Sequence, residues 1–506
     1  MTLASFTHIA TMGRLSGSRR LAAGAIAAVH VAALIVMAWT EYDWVGPAIF
    51  LLAWALLNLT LLVALGRPGI SAVLSLLMFA AVIVLSQLKF SVLWMVLNFF
   101  DVLIVDSDTF SFLLSIFPDV RITLALGLLI VVPALLLLWW FDPFRVPRRA
   151  ALAGAAGCAI GIGGLALAVP EEPWEQFRGV NHISTFVRSG ATTAYELATK
   201  GWIDFDTLTS DQLVAASDKP CHPSGGKPPN IIMVLDEASF DARAVPDIKL
   251  PPGYGSHFRS FDGKTRSLYI EGSGGPTWYT EYNVLTGLSA RSYGRLSYYV
   301  TRIAAGRVER GLPQALRRCG YKTISLYPAY GAFLSAKKFQ ETTGVSRFID
   351  SAEMKAHDFA PDSFYYNQAL KTIESEQGDQ PLFVFVYTMF NHFPWWNTLR
   401  PELTPDWKNP GNEPQTDEYL RRQSLSAQNY VDFKRDLTAR FPGKPFLLLR
   451  FGDHQPGMAR MIDPAASEEA IAQRIMNYDP RYFTTYYAID GINYQPKGRA
   501  SARDKL

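Results

Sequence analysis

The chain has 506 residues, 49% of them hydrophobic, and a formal net charge of +3. The apolar residues crowd into the first 170 positions, which excludes a uniformly water-soluble globule and describes a membrane segment carrying a globular part. The small positive charge owes much to arginines between the apolar runs and does not describe a nucleic-acid binder.

Crossing the hydrocarbon core takes roughly 20 apolar residues. Five stretches meet that requirement, at 21–39, 45–65, 69–88, 122–140 and 150–169, forming an anchor over 1–170. Arg14, Arg19 and Arg20 precede the first, Arg67 follows the second, and Arg145, Arg148 and Arg149 follow the fourth. Loops rich in arginine stay cytoplasmic, so the N-terminus is expected inside and residues 170–506 outside, in the periplasm of a bacterial inner-membrane protein. The run at 91–105 is short and contains Asp101, which suits an interfacial or re-entrant segment. Cys158 falls in the fifth span, while Cys221 and Cys319 lie in the oxidising outer compartment and could form one disulfide.

Residues 171–227 are expected to form membrane-proximal helices, FVRSGATTAYELATKGW among them, and a linker around CHPSGGKPPN. Beyond Pro229 strand-like runs alternate with helical ones: IIMVLD, SLYIEG, YKTISLYP, LFVFVYTMF and FLLLRFGD. Such continuous apolar runs predict a largely parallel, buried central sheet in an α/β domain over 228–490, followed by a loose tail over 491–506. Tyr430, Phe433 and Leu437 recur at helical spacing and mark a helix that covers the sheet.

In such sheets the strand C-termini share one edge, where sites form. Glu237, His392, Asp453 and His454 all follow strand-like runs directly. A carboxylate is costly to bury without a partner, and two carboxylates with an imidazole suit Mn2+, Zn2+ or Mg2+. Asp236 is a rival ligand to Glu237. Thr277 follows Gly274, Gly275 and Pro276 at the start of a helical run, where its local role is an N-cap and its chemical role that of a nucleophile made reactive by a cation. Thr280 is the competing hydroxyl. His392 is placed to bind substrate or to act as general acid and base, and Trp395 and Trp396 to stack on sugars, meet the bilayer surface or pack in the core.

These segments resemble the lipoteichoic acid synthase and phosphoglycerol transferase branch of the alkaline-phosphatase and sulfatase superfamily. The branch's first-strand asparagine and metal-binding glutamate fall on Asn230 and Glu237, its threonine and following glutamate on Thr277 and Glu281, its substrate histidine on His392, and its aspartate and histidine ligands on Asp453 and His454. The resemblance implies a manganese-dependent transferase. It would move a glycerol phosphate head group from phosphatidylglycerol through phosphothreonine to an envelope glycan or polymer, releasing diacylglycerol. After YKTISLYP the chain departs from the branch, with Pro328 to Ser335 replacing a histidine, a tryptophan and an arginine, so that Lys338 or Lys337 is left to supply the missing cation. A phosphoethanolamine transferase would use the same threonine and ligands. A sulfatase would need Arg in place of Gly225 in CHPSG, and a non-catalytic membrane scaffold would bind no metal.

Overall fold

The computed structural model describes residues 17–93, 95–104, 114, 118–172, 175–200, 228–357, 359–376 and 378–496. The chain divides into two compact units, one of them mainly residues 1–203 and the other mainly 204–506.

In the first unit four helices are long and apolar enough to cross a membrane: Arg19–Thr40, Val45–Leu65, Pro68–Ser91 and Arg148–Ala168. The predicted span 122–140 lies in the Pro118–Phe141 helix, whose apolar stretch Ala125–Phe141 is shorter than the other four. Five spans are therefore not established; four helices among the described residues have the length and composition for it. The 91–105 run includes the short Phe99–Ile104 helix, and Asp101 accepts from Lys89 at 2.7 Å and from the Asn98 amide at 2.9 Å. The His182–Lys200 helix begins under the carboxylate of Glu41, which accepts from the Ile183 amide at 2.9 Å. A carboxylate there satisfies amides that have no partner within the helix.

The second unit is built on a seven-stranded sheet in the order β2-β7-β6-β1-β5-β3-β4. Its strands are β1 (Asn230–Asp236), β2 (Arg266–Tyr269), β3 (Lys322–Leu326), β4 (Arg347–Ile349), β5 (Leu382–Tyr387), β6 (Phe446–Gly452) and β7 (Thr484–Ile492). β1 pairs in parallel with both β5 and β6, and β3 in parallel with β5 and β4. β7 runs antiparallel to β6 and to β2, so the sheet is mixed and mostly parallel, in keeping with the mainly parallel sheet expected from the apolar runs. β7 escapes a search for continuous apolar runs because it reads TTYYAIDGI, with polar residues interleaved. Residues 497–506 of the expected tail lie outside the described residues.

One sheet face packs on the Asp362–Ser375 and Pro414–Arg440 helices. Ile232, Val234, Ile324, Val384 and Leu448 meet Tyr366, Leu370, Tyr430, Phe433 and Leu437 there. The last three are the helical stripe expected from the sequence, and each large apolar side chain buried this way contributes roughly 1.5–3 kcal/mol. The central strand thus ends rigidly, with its last residue at the shared C-terminal edge. Cys319 is disulfide-bonded and Cys158 is free, while Cys221 lies outside the described residues.

Candidate metal centre and nucleophile

Alternation along β1 sends Asp236 and Glu237 to different surroundings. Asp236 bonds His257 Nε2 at 2.8 Å and the hydroxyl of Tyr486. Arg450, on β6, closes this buried group by donating to His257 Nδ1 at 2.6 Å, with its guanidinium 4.1 Å from the Tyr430 ring centroid. Burial opposes ionisation of Asp236, but His257, Arg450 and Tyr486 together hold its pKa at about 2. Asp236 is therefore committed to a charge network and is not the rival ligand.

Glu237 instead joins Asp453 and His454, and one ligand atom from each lies within 4.8 Å of the others. His454 Nε2 stands 3.3 Å from Glu237 Oε1 and 3.4 Å from Asp453 Oδ2. Its Nδ1 lies 3.0 Å from the Gln455 carbonyl, which accepts the ring N–H and turns Nε2 toward the two carboxylates. Asp453 Oδ1 accepts from the Ala238 amide at 2.8 Å, tying β1 to β6. Close approach of the two strand ends needs Gly452, since a Cβ there would collide with the Ser239 carbonyl. The Thr388 hydroxyl, beyond β5, takes the Glu237 amide at 3.1 Å.

Two atoms of this group, Glu237 Oε1 and Asp453 Oδ2, are buried with no hydrogen-bond partner. Burial and the neighbouring Glu237 charge push Asp453 up to about 7, while the two carboxylates outweigh burial and raise His454 to about 9. Orphaned carboxylate oxygens facing each other across an imidazole are an arrangement that a divalent cation relieves, so these residues fit a metal.

Thr277 opens the Thr277–Thr286 helix as its first helical residue, behind Pro276 at the cap position. It is not the N-cap that its local sequence suggests. The turn into it needs Gly274 and Gly275 at φ 75° and 151°, values that side chains oppose. Thr277 also interacts with the Asp453 carboxylate and lowers its pKa. Thr280 is buried, and its hydroxyl donates to the Asp453 carbonyl at 2.5 Å, so its proton is already spent.

Glu281 lies one turn on from Thr277 and is 1% exposed, accepting from Gln340 Nε2 at 2.8 Å. Burial pushes its pKa up to about 8, although Gln340 and Tyr387 pull the other way. A carboxyl whose folded pKa exceeds its ordinary 4.5 adds stability below that value and loses it as the pH rises through about 8. We expect Glu281→Gln to flatten this limb, worth on the order of 1 kcal/mol per pH unit, which urea midpoints at pH 6 and pH 8.5 would reveal. Parallel pH slopes for the two proteins would refute the assignment.

His392 sits in the loop after β5, where burial lowers its pKa and the charges of Glu237 and His454 also reach it. Sequence reasoning missed the residue that fixes this loop. Arg422, 1% exposed, donates to the carbonyls of His392 at 2.9 Å, Pro394 at 2.8 Å and Asn397 at 3.0 Å, and to Glu418 at 2.6 Å. The i, i+4 pairing of Glu418 with Arg422 was a visible signal. Trp395 departs from the sugar-stacking role. It is buried against Tyr419 at 5.4 Å and donates to the Asn391 carbonyl, while Trp396 is the exposed ring. Lys338 is exposed beside Gly306, Lys337 lies 3.9 Å from Glu341, and among the described residues no contact joins either lysine to the metal-type group.

Residues 265–484 match the family model described as Sulfatase. The match describes a sulfatase domain over these residues. Thr277, His392, Asp453 and His454 lie within the matched residues and Glu237 before them. An uncharacterized protein of Haemophilus influenzae is 25% identical over 272 residues, covering 48% of this chain and 46% of that protein. A putative cyclic beta-1,2-glucan modification protein of Rhizobium meliloti is 23% identical over 245 residues, covering 45% of this chain and 36% of that protein. The chain thus spans less than half the length of both curated relatives. Among solved structures, the Streptococcus pyogenes phosphoglycerol transferase GacH in complex with sn-glycerol-1-phosphate is similar at 20% identity and a TM-score of 0.38, over 52% of this chain and 68% of that one. The sulfatase domain here is joined to apolar helices of membrane-spanning length.

Proposed function

We propose that this protein is a membrane-anchored phosphotransferase that moves a phosphoglycerol-type head group from a phospholipid, phosphatidylglycerol first, to a cell-envelope glycan or polymer. The observation that carries the reading is the pair of orphaned carboxylate oxygens on Glu237 and Asp453 beside Nε2 of His454, with the Thr277 hydroxyl next to Asp453. Glu237, Asp453, His454 and Thr277 would hold a divalent cation, Mn2+ as first choice, whose charge would acidify the threonine hydroxyl and neutralise phosphoryl oxygens.

Thr277 Oγ1 attacks the phosphorus of the donor as its proton passes to His392, and the bond to the diacylglycerol oxygen breaks as His392 hands that proton to the leaving oxygen. His392 then takes the proton of the acceptor hydroxyl that displaces Thr277 and returns it to the threonine oxygen as the product is released. The positive end of the dipole of the Thr277–Thr286 helix favours the negative charge that gathers there. Arg422 keeps the His392 loop rigid during both steps. In this reading the fifth apolar stretch also spans, the N-terminus is cytoplasmic, and the domain works in the periplasm. A tethered site then meets lipid head groups at high effective concentration.

Intact mass measurement after incubation of the full chain with Mn2+ and phosphatidylglycerol tests the proposal. A gain equal to one glycerol phosphate on Thr277 is expected. The gain of a phosphoethanolamine from phosphatidylethanolamine instead would reassign the donor, and a mass unchanged with either lipid would defeat the mechanism.

A further inference from the structure

The loop that carries His392 is gripped from two sides by opposite charges. The carbonyls of His392, Pro394 and Asn397 take the guanidinium of Arg422. The half that leads into His392 is held by Asp362, whose Oδ1 accepts from the Phe390 amide at 3.1 Å and from the Met389 amide at 3.3 Å. The Met389 carbonyl in turn takes the His392 amide at 3.0 Å, so Asp362 holds the turn on which the imidazole stands. Nδ1 of His392 lies against the Phe393 carbonyl, which takes its N–H and leaves proton exchange to Nε2.

Asp362 is the first residue of the Asp362–Ser375 helix, where an acid ordinarily serves the amides of its own helix. Here Pro361 holds the cap position, and the Ser363 amide is taken by Asn429 Oδ1 at 3.0 Å, from the neighbouring Pro414–Arg440 helix. The Asp362 carboxyl is thereby released to cross to the loop. It is 1% exposed, and Met389 and Phe390 are buried with it, so water cannot replace it on the two amides. Burial and the charge of Asp236 push its pKa up to about 7, against the pull of Ser426 and of the same two amides. Either form of the carboxyl keeps an acceptor oxygen. The two grips match the polarity of the backbone, an acid where the loop offers amides and a base where it offers carbonyls. Each comes from one of the two helices whose apolar faces pack on the sheet, so a rigid core sets both.

We propose that Asp362 is a positioning residue of the transfer reaction, setting the His392 imidazole by fixing the Met389 and Phe390 backbone while Arg422 fixes the segment beyond. The role given to His392 is that of the phosphotransfer reading, on which this inference rests. Without the acceptor the turn would keep only its far anchor, and the ring would leave the line along which it exchanges protons with Thr277 and the leaving oxygen.

The test compares the full-length wild type with Asp362→Ala, Asp362→Asn, His392→Ala and the double alanine variant, in nanodiscs of phosphatidylglycerol with Mn2+. Single-turnover formation of the Thr277 adduct should slow ~10- to 100-fold in Asp362→Ala, the scale on which a small displacement of a catalytic group acts, with the half-saturating donor concentration within ~3-fold of wild type. Asp362→Asn keeps an acceptor at Oδ1 and should return the rate to within ~3-fold of wild type. In the His392→Ala background the loss of Asp362 should cost nothing further. Asp362→Ser, one bond too short for the loop, should behave as alanine does and serves in its place if the alanine variant does not fold. A second arm reads the imidazole without turnover. Diethyl pyrocarbonate should modify His392, identified by peptide mass, several-fold faster in Asp362→Ala than in wild type or Asp362→Asn, while Mn2+ affinity stays level in all of them. Additive losses in the double variant, an asparagine variant as slow as alanine, or an unchanged rate in Asp362→Ala overturns the assignment. Faster modification of His392 in Asp362→Ala, in a protein that never forms the Thr277 adduct, would uphold the grip and defeat the phosphotransfer reading instead.

Discussion

Thr277→Ala is expected to abolish the covalent adduct and to cut turnover by about three orders of magnitude or more, the scale on which removal of a nucleophile acts. The structure isolates this effect from folding. Thr277 is the first helical residue, with Pro276 in the cap position, so alanine, a strong helix former, costs the helix little. Thr277→Ser keeps the hydroxyl and should retain activity within about one order of magnitude. Turnover that survives in the alanine variant would move the nucleophile elsewhere. Thr280 would then be a poor successor, because its hydroxyl already donates to the Asp453 carbonyl. Mass analysis and single-turnover kinetics on the same preparations decide the matter.

Asp453→Asn should lower Mn2+ affinity by about two orders of magnitude or more while leaving the metal-free protein as stable as wild type or more so. Asparagine preserves the shape and the acceptor for the Ala238 amide at 2.8 Å, and it deletes one of two like charges buried beside each other. Wild type should gain about 2.7 kcal/mol from metal at a hundred times its dissociation constant, and the variant should gain almost nothing. Calorimetric titration and melting curves with and without Mn2+ measure both halves. A variant that binds Mn2+ as tightly as wild type would show that the orphaned Oδ2 of Asp453 is not a ligand.

The difference between Asp236 and Glu237 shows where the residues alone stop short. Both follow the same apolar strand, and either could be a ligand on composition. Only the pleat of β1 and the His257–Arg450 group across β6 commit Asp236 to one environment, and that group is drawn from segments far apart in the chain. Strand ends were legible because uninterrupted apolar runs stop abruptly at Asp236, Tyr387 and Gly452. β7 was not, since an antiparallel strand with interleaved polar residues lacks that contrast. Trp395 stayed open between substrate and core because a tryptophan beside a histidine signals binding as readily as packing, and only its burial against Tyr419 separates the two. The role of Arg422 was hidden for a related reason. Its pairing with Glu418 is readable from the spacing, but the three carbonyls it holds lie in a distant loop.

The bond from the Ala238 amide to Asp453 joins positions 215 residues apart. Such a link closes only after nearly all of the intervening chain has found its place, and contacts of that separation form slowly. Assembly of the Glu237, Asp453 and His454 group is thus postponed to a late stage of folding, after the strands that carry its members have docked side by side.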